Sequence, residues 1–182
     1  MNILTHRLLL QSPHEVSAKD ICAYYLTNRE FLTEFSPARD ADFYTESYHS
    51  QMRSSQIDDW EAGRSYRFYI RLQEAGSPVI GSIALSSIVR GAFQSCFLGY
   101  QLDAAHINRG YMTEAVKQLV TFAFQDLNLH RVEANIIPRN YASRAVAEKC
   151  GFVMEGLSKQ YLKINGVWED HMHYVILNPD ME

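Results

Sequence analysis

Between residues 111 and 127 apolar side chains return every three or four positions: Met112, Ala115, Val116, Leu119, Phe122, Ala123 and Leu127. Glu114, Lys117, Gln118, Gln125 and Asp126 fall largely on the other side. That period predicts an amphipathic helix with one face in a core. A strand is predicted just before it, from Cys96 to Leu102, and another after it, where residues 130–137 alternate and stop at Pro138. A second helix starts at the polar run Asn140-Tyr141-Ala142-Ser143. Its stripe is Ala142, Ala145, Val146 and Cys150, and Gly151-Phe152 is its stop signal.

The first half reads as a strand over residues 3–10, with Leu4, Leu8, Leu9 and Leu10 apolar, then a helix over 17–33 with Ile21, Tyr24, Tyr25 and Phe31 inward. Phe35-Ser36-Pro37 breaks the pattern, and a second helix runs from Tyr44 to Ala62 with Gly63 ending it. Strands follow at Tyr66–Leu72 and Val79–Ile88 around the turn Gly76-Ser77-Pro78, and Asn165-Gly166 marks a hairpin between the last two strands. The sum is an α/β chain whose mixed sheet of six to seven strands is antiparallel first and parallel later, with helices on both faces.

A length of 182 residues, 47% apolar, suits a single domain spanning 1–182, and no repeat, low-complexity tract or linker divides it. A net charge of -4 argues against nucleic acid as a main partner. Cys22, Cys96 and Cys150 are odd in number and lack C-x-x-C spacing, so buried, inert thiols are expected rather than disulfides or zinc. No run approaches the roughly twenty apolar residues of a membrane span, and no signal peptide opens the chain, which makes the cytoplasm the expected location. His171 and His173 have the spacing of a metal pair on a strand, but no third ligand stands at suitable spacing, and no metal is expected.

Candidate chemistry centres on Tyr100-Gln101-Leu102 followed by Asn108-Arg109-Gly110-Tyr111-Met112-Thr113. A strand that empties through a basic turn into a helix can bind an anion, because the first helical turn has unpartnered N–H groups and the positive end of the peptide dipole. Gly110 would allow close backbone approach, and Arg109 would add a charged fork. An ordinary strand-loop-helix connection is the alternative.

These segments, in order, resemble the GNAT superfamily of acetyl-coenzyme A (acetyl-CoA) dependent N-acetyltransferases. The likeness rests on Leu98-Gly99-Tyr100, Arg109 to Ala115, Leu129-His130-Arg131, Pro138-Arg139-Asn140 with Ser143, Cys150-Gly151-Phe152 and Glu155-Gly156, with Arg7-Leu8-Leu9 fitting the first strand. Tyr161-Leu162, Ile164-Asn165-Gly166, Trp168 and Asp170-His171 are similar to the carboxy-terminal signature of the bacterial branch that acetylates alanine N-termini of ribosomal proteins.

The resemblance implies that the strand ending at Leu102 splays from the strand holding Val132 to Ile136, admitting the pantetheine arm as an added strand, with a backbone N–H near Leu102 meeting the acetyl oxygen. It implies direct attack of a neutral amine on the thioester. Ser143 is read as the donor to the leaving thiolate or as a helix-start serine, and Asn140 as a pantetheine ligand or an N-cap. Glu133 is either the base, directly or through water, or a solvent-facing carboxylate. Phe35, Tyr161, Asp170 and His171 are the acceptor-side candidates, with a solvated hairpin and a core Trp168 as the alternative for the last strands. The family's usual tyrosine donor position holds Ala147, and Ile107-Asn108 replaces its common Gln and Gly. Three functions follow: acetylation of a protein N-terminus, possibly ribosomal in type; acetylation of a small amine such as a polyamine, aminoglycoside or amino acid; or a non-catalytic acyl-CoA-binding module. The chain is expected as a monomer or homodimer.

Overall fold

The computed structural model describes residues 1–181. Eight strands form one sheet: β1 (Asn2–Leu4), β2 (Leu8–Gln11), β3 (Tyr66–Leu72), β4 (Gly81–Val89), β5 (Ser95–Leu102), β6 (Arg131–Ile136), β7 (Val153–Ile164) and β8 (Val167–Leu177). Their order is β1-β2-β3-β4-β5-β6-β8-β7. Only β5 and β6 run parallel; every other pair is antiparallel. The helices are α1 (Ala18–Thr27), α2 (Arg29–Thr33), α3 (Glu46–Glu61), α4 (Tyr111–Gln125) and α5 (Tyr141–Lys149).

The helical stripe of α4 is buried as its period requires: Ala115, Val116, Leu119 and Ala123 are fully covered, packed with Leu8, Leu10, Phe68, Ile83 and Val132. Because side chains alternate along a strand, Phe68 and Ile70 enter this cluster while Tyr69 points the other way. There it joins a second cluster with Ile21, Tyr24, Tyr25 and Phe43. One sheet is thus covered on both faces.

Five readings are corrected. The sheet has eight strands rather than six to seven, because residues 3–10 fold back at Thr5 into the hairpin β1–β2, which leaves Leu4 exposed. The helix over 17–33 is two helices: Asn28 adopts a non-helical conformation, and its Nδ2 donates to the Tyr24 carbonyl while its Oδ1 accepts from Ala104 N–H. Phe31, now on α2, is 43% exposed instead of inward, and Trp168 is 57% exposed instead of core. Only one strand pair is parallel, since the neighbour of β6 on its other side, β8, runs antiparallel to it. The three cysteines are free, and burial pushes the Cys96 thiol up to about 12, as expected of inert sulfur.

Candidate active site

The sheet opens at its one parallel pair. β5 and β6 are in register only at Ser95–Phe97 against Arg131–Glu133, while β5 stays paired with β4 as far as Leu102. Beyond Phe97 the β6-facing edge of β5 therefore borders a wedge. Asp103 N–H donates to the Ile80 carbonyl at 2.8 Å, on the β4 side. Successive residues of a strand alternate their N–H direction, so the N–H groups of Leu102 and Tyr100 face the wedge.

A cleft of about 460 Å³ fills this wedge. Leu98–Leu102 and Ala134–Ile137 form its walls, the 106–113 loop and start of α4 its anionic end, and Asn140, Ser143 and Val146 of α5 one flank. Phe31, Leu32, Phe35 and Ser36 close the far end.

At the anionic end, the consecutive amides from Ile107 to Thr113 donate to no acceptor among the described residues; bonding resumes at Glu114 N–H, which reaches the Gly110 carbonyl. Asn108 (φ 60°) and Gly110 (φ 79°) both take left-handed backbone, which turns these amides into a cradle. Asn tolerates that conformation better than most residues, so the turn is kept where the family commonly has Gly. Orphan amides at a helix start match the phosphates of coenzyme A.

Arg7 holds the cradle from behind. Its Nε donates to Glu114 Oε2 at 2.8 Å, its Nη1 to the Arg109 carbonyl at 2.9 Å, and its guanidinium lies 4.5 Å from the Tyr111 ring centre. Glu114, expected on the solvent side, is half-buried and also accepts from Thr5 Oγ1 and Arg7 N–H. Burial pushes the Glu114 carboxyl up, but these hydrogen bonds outweigh it and hold it below the usual carboxylate range. The sequence carried one signal for this clamp, a carboxylate beside the buried stripe of α4; nothing in it pointed to Arg7 as the other half.

The cleft brings together Tyr100, Gln101, Leu102, Asn108, Gly110, Tyr111, Met112, Thr113, Asn140, Ser143, Phe35 and His171. Tyr100 Oη donates to the Ser143 carbonyl at 2.8 Å. Asn140 is the N-cap of α5, its Oδ1 accepting from Ser143 N–H at 3.1 Å, and it lines the cleft as well. Ser143 Oγ makes no hydrogen bond among the described residues, unlike a serine committed to backbone. Ala147 is buried under the same helix.

Four candidates lie outside the lining. Arg109 is exposed, and only its carbonyl is engaged. Asp170 Oδ1 accepts from Gln160 N–H at 2.9 Å, fixing an irregularity in β7. Tyr161 borders the cleft through Asn135, whose Nδ2 lies 3.4 Å from its Oη, and its ring packs on His171 and His173. Glu133 is corrected: its Oε1 meets His173 Nδ1 at 2.9 Å and its Oε2 meets Arg131 at 3.2 Å. Burial raises its carboxyl, yet the bonds from His173, Arg131 and Asn135 bring it below the usual range, a poor setting for direct proton abstraction.

Asn135 was missed. Its Oδ1 is buried in the cleft wall without a partner. Beside it in the lining stands His171, 3% exposed, with Nδ1 3.1 Å from the Glu169 carbonyl. A carbonyl only accepts, so Nδ1 is a donor here, and in the neutral ring the lone pair is then on Nε2. Nothing in the sequence sets Asn135 apart from Arg131 and Glu133, the other polar positions of the same alternation. Around this mouth, Asn165 Nδ2 ties the β7–β8 turn to the Thr33 carbonyl at 2.7 Å, and Arg139 bridges Glu169 and the Phe35 ring.

Among known proteins, residues 7–153 match the acetyltransferase (GNAT) domain family. The chain is 41% identical over 181 residues to the probable N-acetyltransferase YjcK of Bacillus subtilis strain 168, covering 99% of each. The ribosomal-protein-S5-alanine acetyltransferase from Vibrio fischeri superposes with a TM-score of 0.91 at 30% identity, over 100% of this chain and 99% of that one. Mycobacterium smegmatis RimJ in complex with CoA-disulfide gives 0.85 at 26% identity, over 97% and 88%. An orphan-amide cradle, a splayed parallel pair and these likenesses agree, and the chain belongs to the GNAT family as an acetyl-CoA-dependent N-acetyltransferase.

Proposed function

We propose that the enzyme acetylates the N-terminal α-amine of a protein, with an alanine N-terminus of the ribosomal-protein type as the leading acceptor. One observation carries this reading. The acceptor end of the cleft offers neutral hydrogen-bond acceptors, the orphan Asn135 Oδ1 and the His171 Nε2, and no Asp or Glu lines the cleft among the described residues. A polyamine or aminoglycoside brings several positive charges that need carboxylates when desolvated. An α-amine brings one, and with an ordinary pKa near 8 roughly a tenth of it is already neutral at pH 7. The name of the Vibrio fischeri relative supports the same acceptor class.

Acetyl-CoA supplies the activated acyl thioester. The amides from Ile107 to Thr113 hold its phosphates, and the wedge-facing N–H groups of Tyr100 and Leu102 orient the pantetheine arm and acetyl oxygen. Asn135 and His171 accept the N–H groups of the incoming amine and aim its lone pair, and His171 Nε2 takes the proton. Ser143 Oγ, uncommitted, passes a proton to the departing sulfur and regains one from solvent, so that its hydroxyl is restored. Asn140 lines the arm's path, Phe35 closes the acceptor end, and Tyr161 supports Asn135.

The test is calorimetric titration with acetyl-CoA, then thiol release with an alanine-initiated peptide, its pre-acetylated form, spermidine and an aminoglycoside. Release with the free peptide alone is expected. Turnover of a polyamine beside a silent peptide would overturn the acceptor class, and cofactor binding without turnover of any amine would overturn catalysis.

A further inference from the structure

A second cavity, of about 220 Å³, opens off the cleft; the two share Gly99, Tyr100 and Gln101 in their walls. Arg39 and Arg67 line it, both half-buried. Ion pairs occupy Arg7, Arg64, Arg71, Arg131 and Arg139, but neither of these two arginines forms one among the described residues. Arg67 Nη1 reaches only Ser82 Oγ, at 3.3 Å, and Arg39 lies over the Phe43 and Tyr25 rings at 3.9 and 4.8 Å. Gln101 Nε2 is spent on Tyr25 Oη and Ser82 Oγ. Two guanidinium forks thus face one hollow with donors to spare and no counter-charge.

The register explains the hollow. Arg67 pairs with Ala84 and Ala84 with Gly99, so one row across β3, β4 and β5 reads arginine, alanine, glycine on the same face. A Cβ on Gly99 would meet nothing within 4 Å. The missing side chains leave no bulk on this face between Gly99, which lines the cleft, and Arg67. Partly desolvated like charges are costly side by side, and a carboxylate between the two forks would offset that cost through charge-assisted, bidentate hydrogen bonds.

We infer that this cavity is a specificity subsite for a carboxylate carried by the acceptor, an acidic side chain among the residues that follow the N-terminal one. The inference rests on the proposed N-terminal acetylation. An extended peptide advances about 3.3 Å per residue, so positions two to four sample about 10 Å beyond the N-terminal residue.

Initial rates are measured for alanine-initiated peptides with Glu, Gln or Lys at each of those positions, using wild type, Arg67→Gln, Arg39→Gln and Gly99→Val. Calorimetry with the same peptides on the CoA-bound proteins reads binding apart from turnover. At one position Glu is expected to lower KM about tenfold relative to Gln, as one charge-assisted contact would. Either arginine change is expected to bring that ratio to about one, as is Gly99→Val, which puts bulk on that face. Arg39 sits outside regular structure, so its variant carries the test if Arg67→Gln fails to melt cooperatively. Equal KM for Glu and Gln peptides at every position in wild type overturns the subsite, as does a Glu preference that survives both arginine changes. If no alanine peptide is turned over, the N-terminal reading falls and binding decides: a Glu peptide held by wild type but not by the arginine variants upholds the subsite, and no binding overturns it.

Discussion

The cofactor end of the cleft is made of backbone, the β5 edge and the amides from Ile107 to Thr113, and comes from one short stretch of chain. The acceptor end is made of side chains, Phe35, Asn135 and His171, contributed by an irregular segment after α2 and by β6 and β8. Phosphates and a pantetheine arm are the same for every acyl-CoA, and backbone groups bind them whatever the side chains are. An acceptor has to be told from its rivals, and only side chains of particular charge and shape can do that. The first half should therefore fail through changes of backbone or of what braces it, and the second through changes of single polar atoms.

Gly110→Val attacks the first half most directly. A β-branched residue at φ 79° is strained whatever the space around it. About 2 kcal/mol of strain corresponds to roughly thirtyfold weaker acetyl-CoA binding by calorimetry. An unchanged affinity would remove the cradle from the site. Glu114→Gln loosens the brace and is expected to cost about 1 to 2 kcal/mol of stability in denaturant titration. Since the folded Glu114 carboxyl ionises below its unfolded value, its contribution is full above the ordinary carboxylate range and is lost as pH falls through the folded value. The gap between wild type and Glu114→Gln should close below about pH 4. A gap that persists in acid would mean that Glu114 acts by shape and not by charge.

Asn135→Leu tests the second half. It removes an orphan buried acceptor, so melting should not suffer, while kcat/KM for the peptide falls about tenfold and acetyl-CoA affinity holds. Ser143→Ala is expected to lower kcat about fivefold with little change in KM, because a thiolate is a tolerable leaving group without help. An unaltered kcat would send the sulfur's proton to water. Arg109→Ala is the mildest: an exposed side chain on a phosphate is worth about 0.5 kcal/mol, roughly a twofold loss in acetyl-CoA affinity.

The same division governs what could be read in advance. The α4 stripe, the Gly110 turn and the strand ending at Leu102 are consecutive, and their periods and turn chemistry are local properties, so the elements of the proposed cofactor site were legible before any fold was known. Asn135, Arg39 and Arg67 carry no local signature. Each is an ordinary polar residue until the sheet puts it beside the cleft. Glu133 shows the converse: its place on the wedge strand is local, but of the partners that hold it, His173 and Arg131, from 40 and 2 residues away, only the former needed the fold.

By itself the sequence determined the helix and strand periods, the left-handed turn at Gly110 and, through the ordered motifs, the family, because these depend on neighbours within a few residues. The tertiary structure decided the hairpin at the start, the break at Asn28, the brace from Arg7 to Glu114 and the charge of the acceptor end. Those arise where residues distant in the chain meet, and which of them meet is set by strand order and register, β6 beside β8 and Arg67 in line with Gly99. Side-chain burial and charge compensation are properties of that assembly, so no reading of the chain one segment at a time contains them.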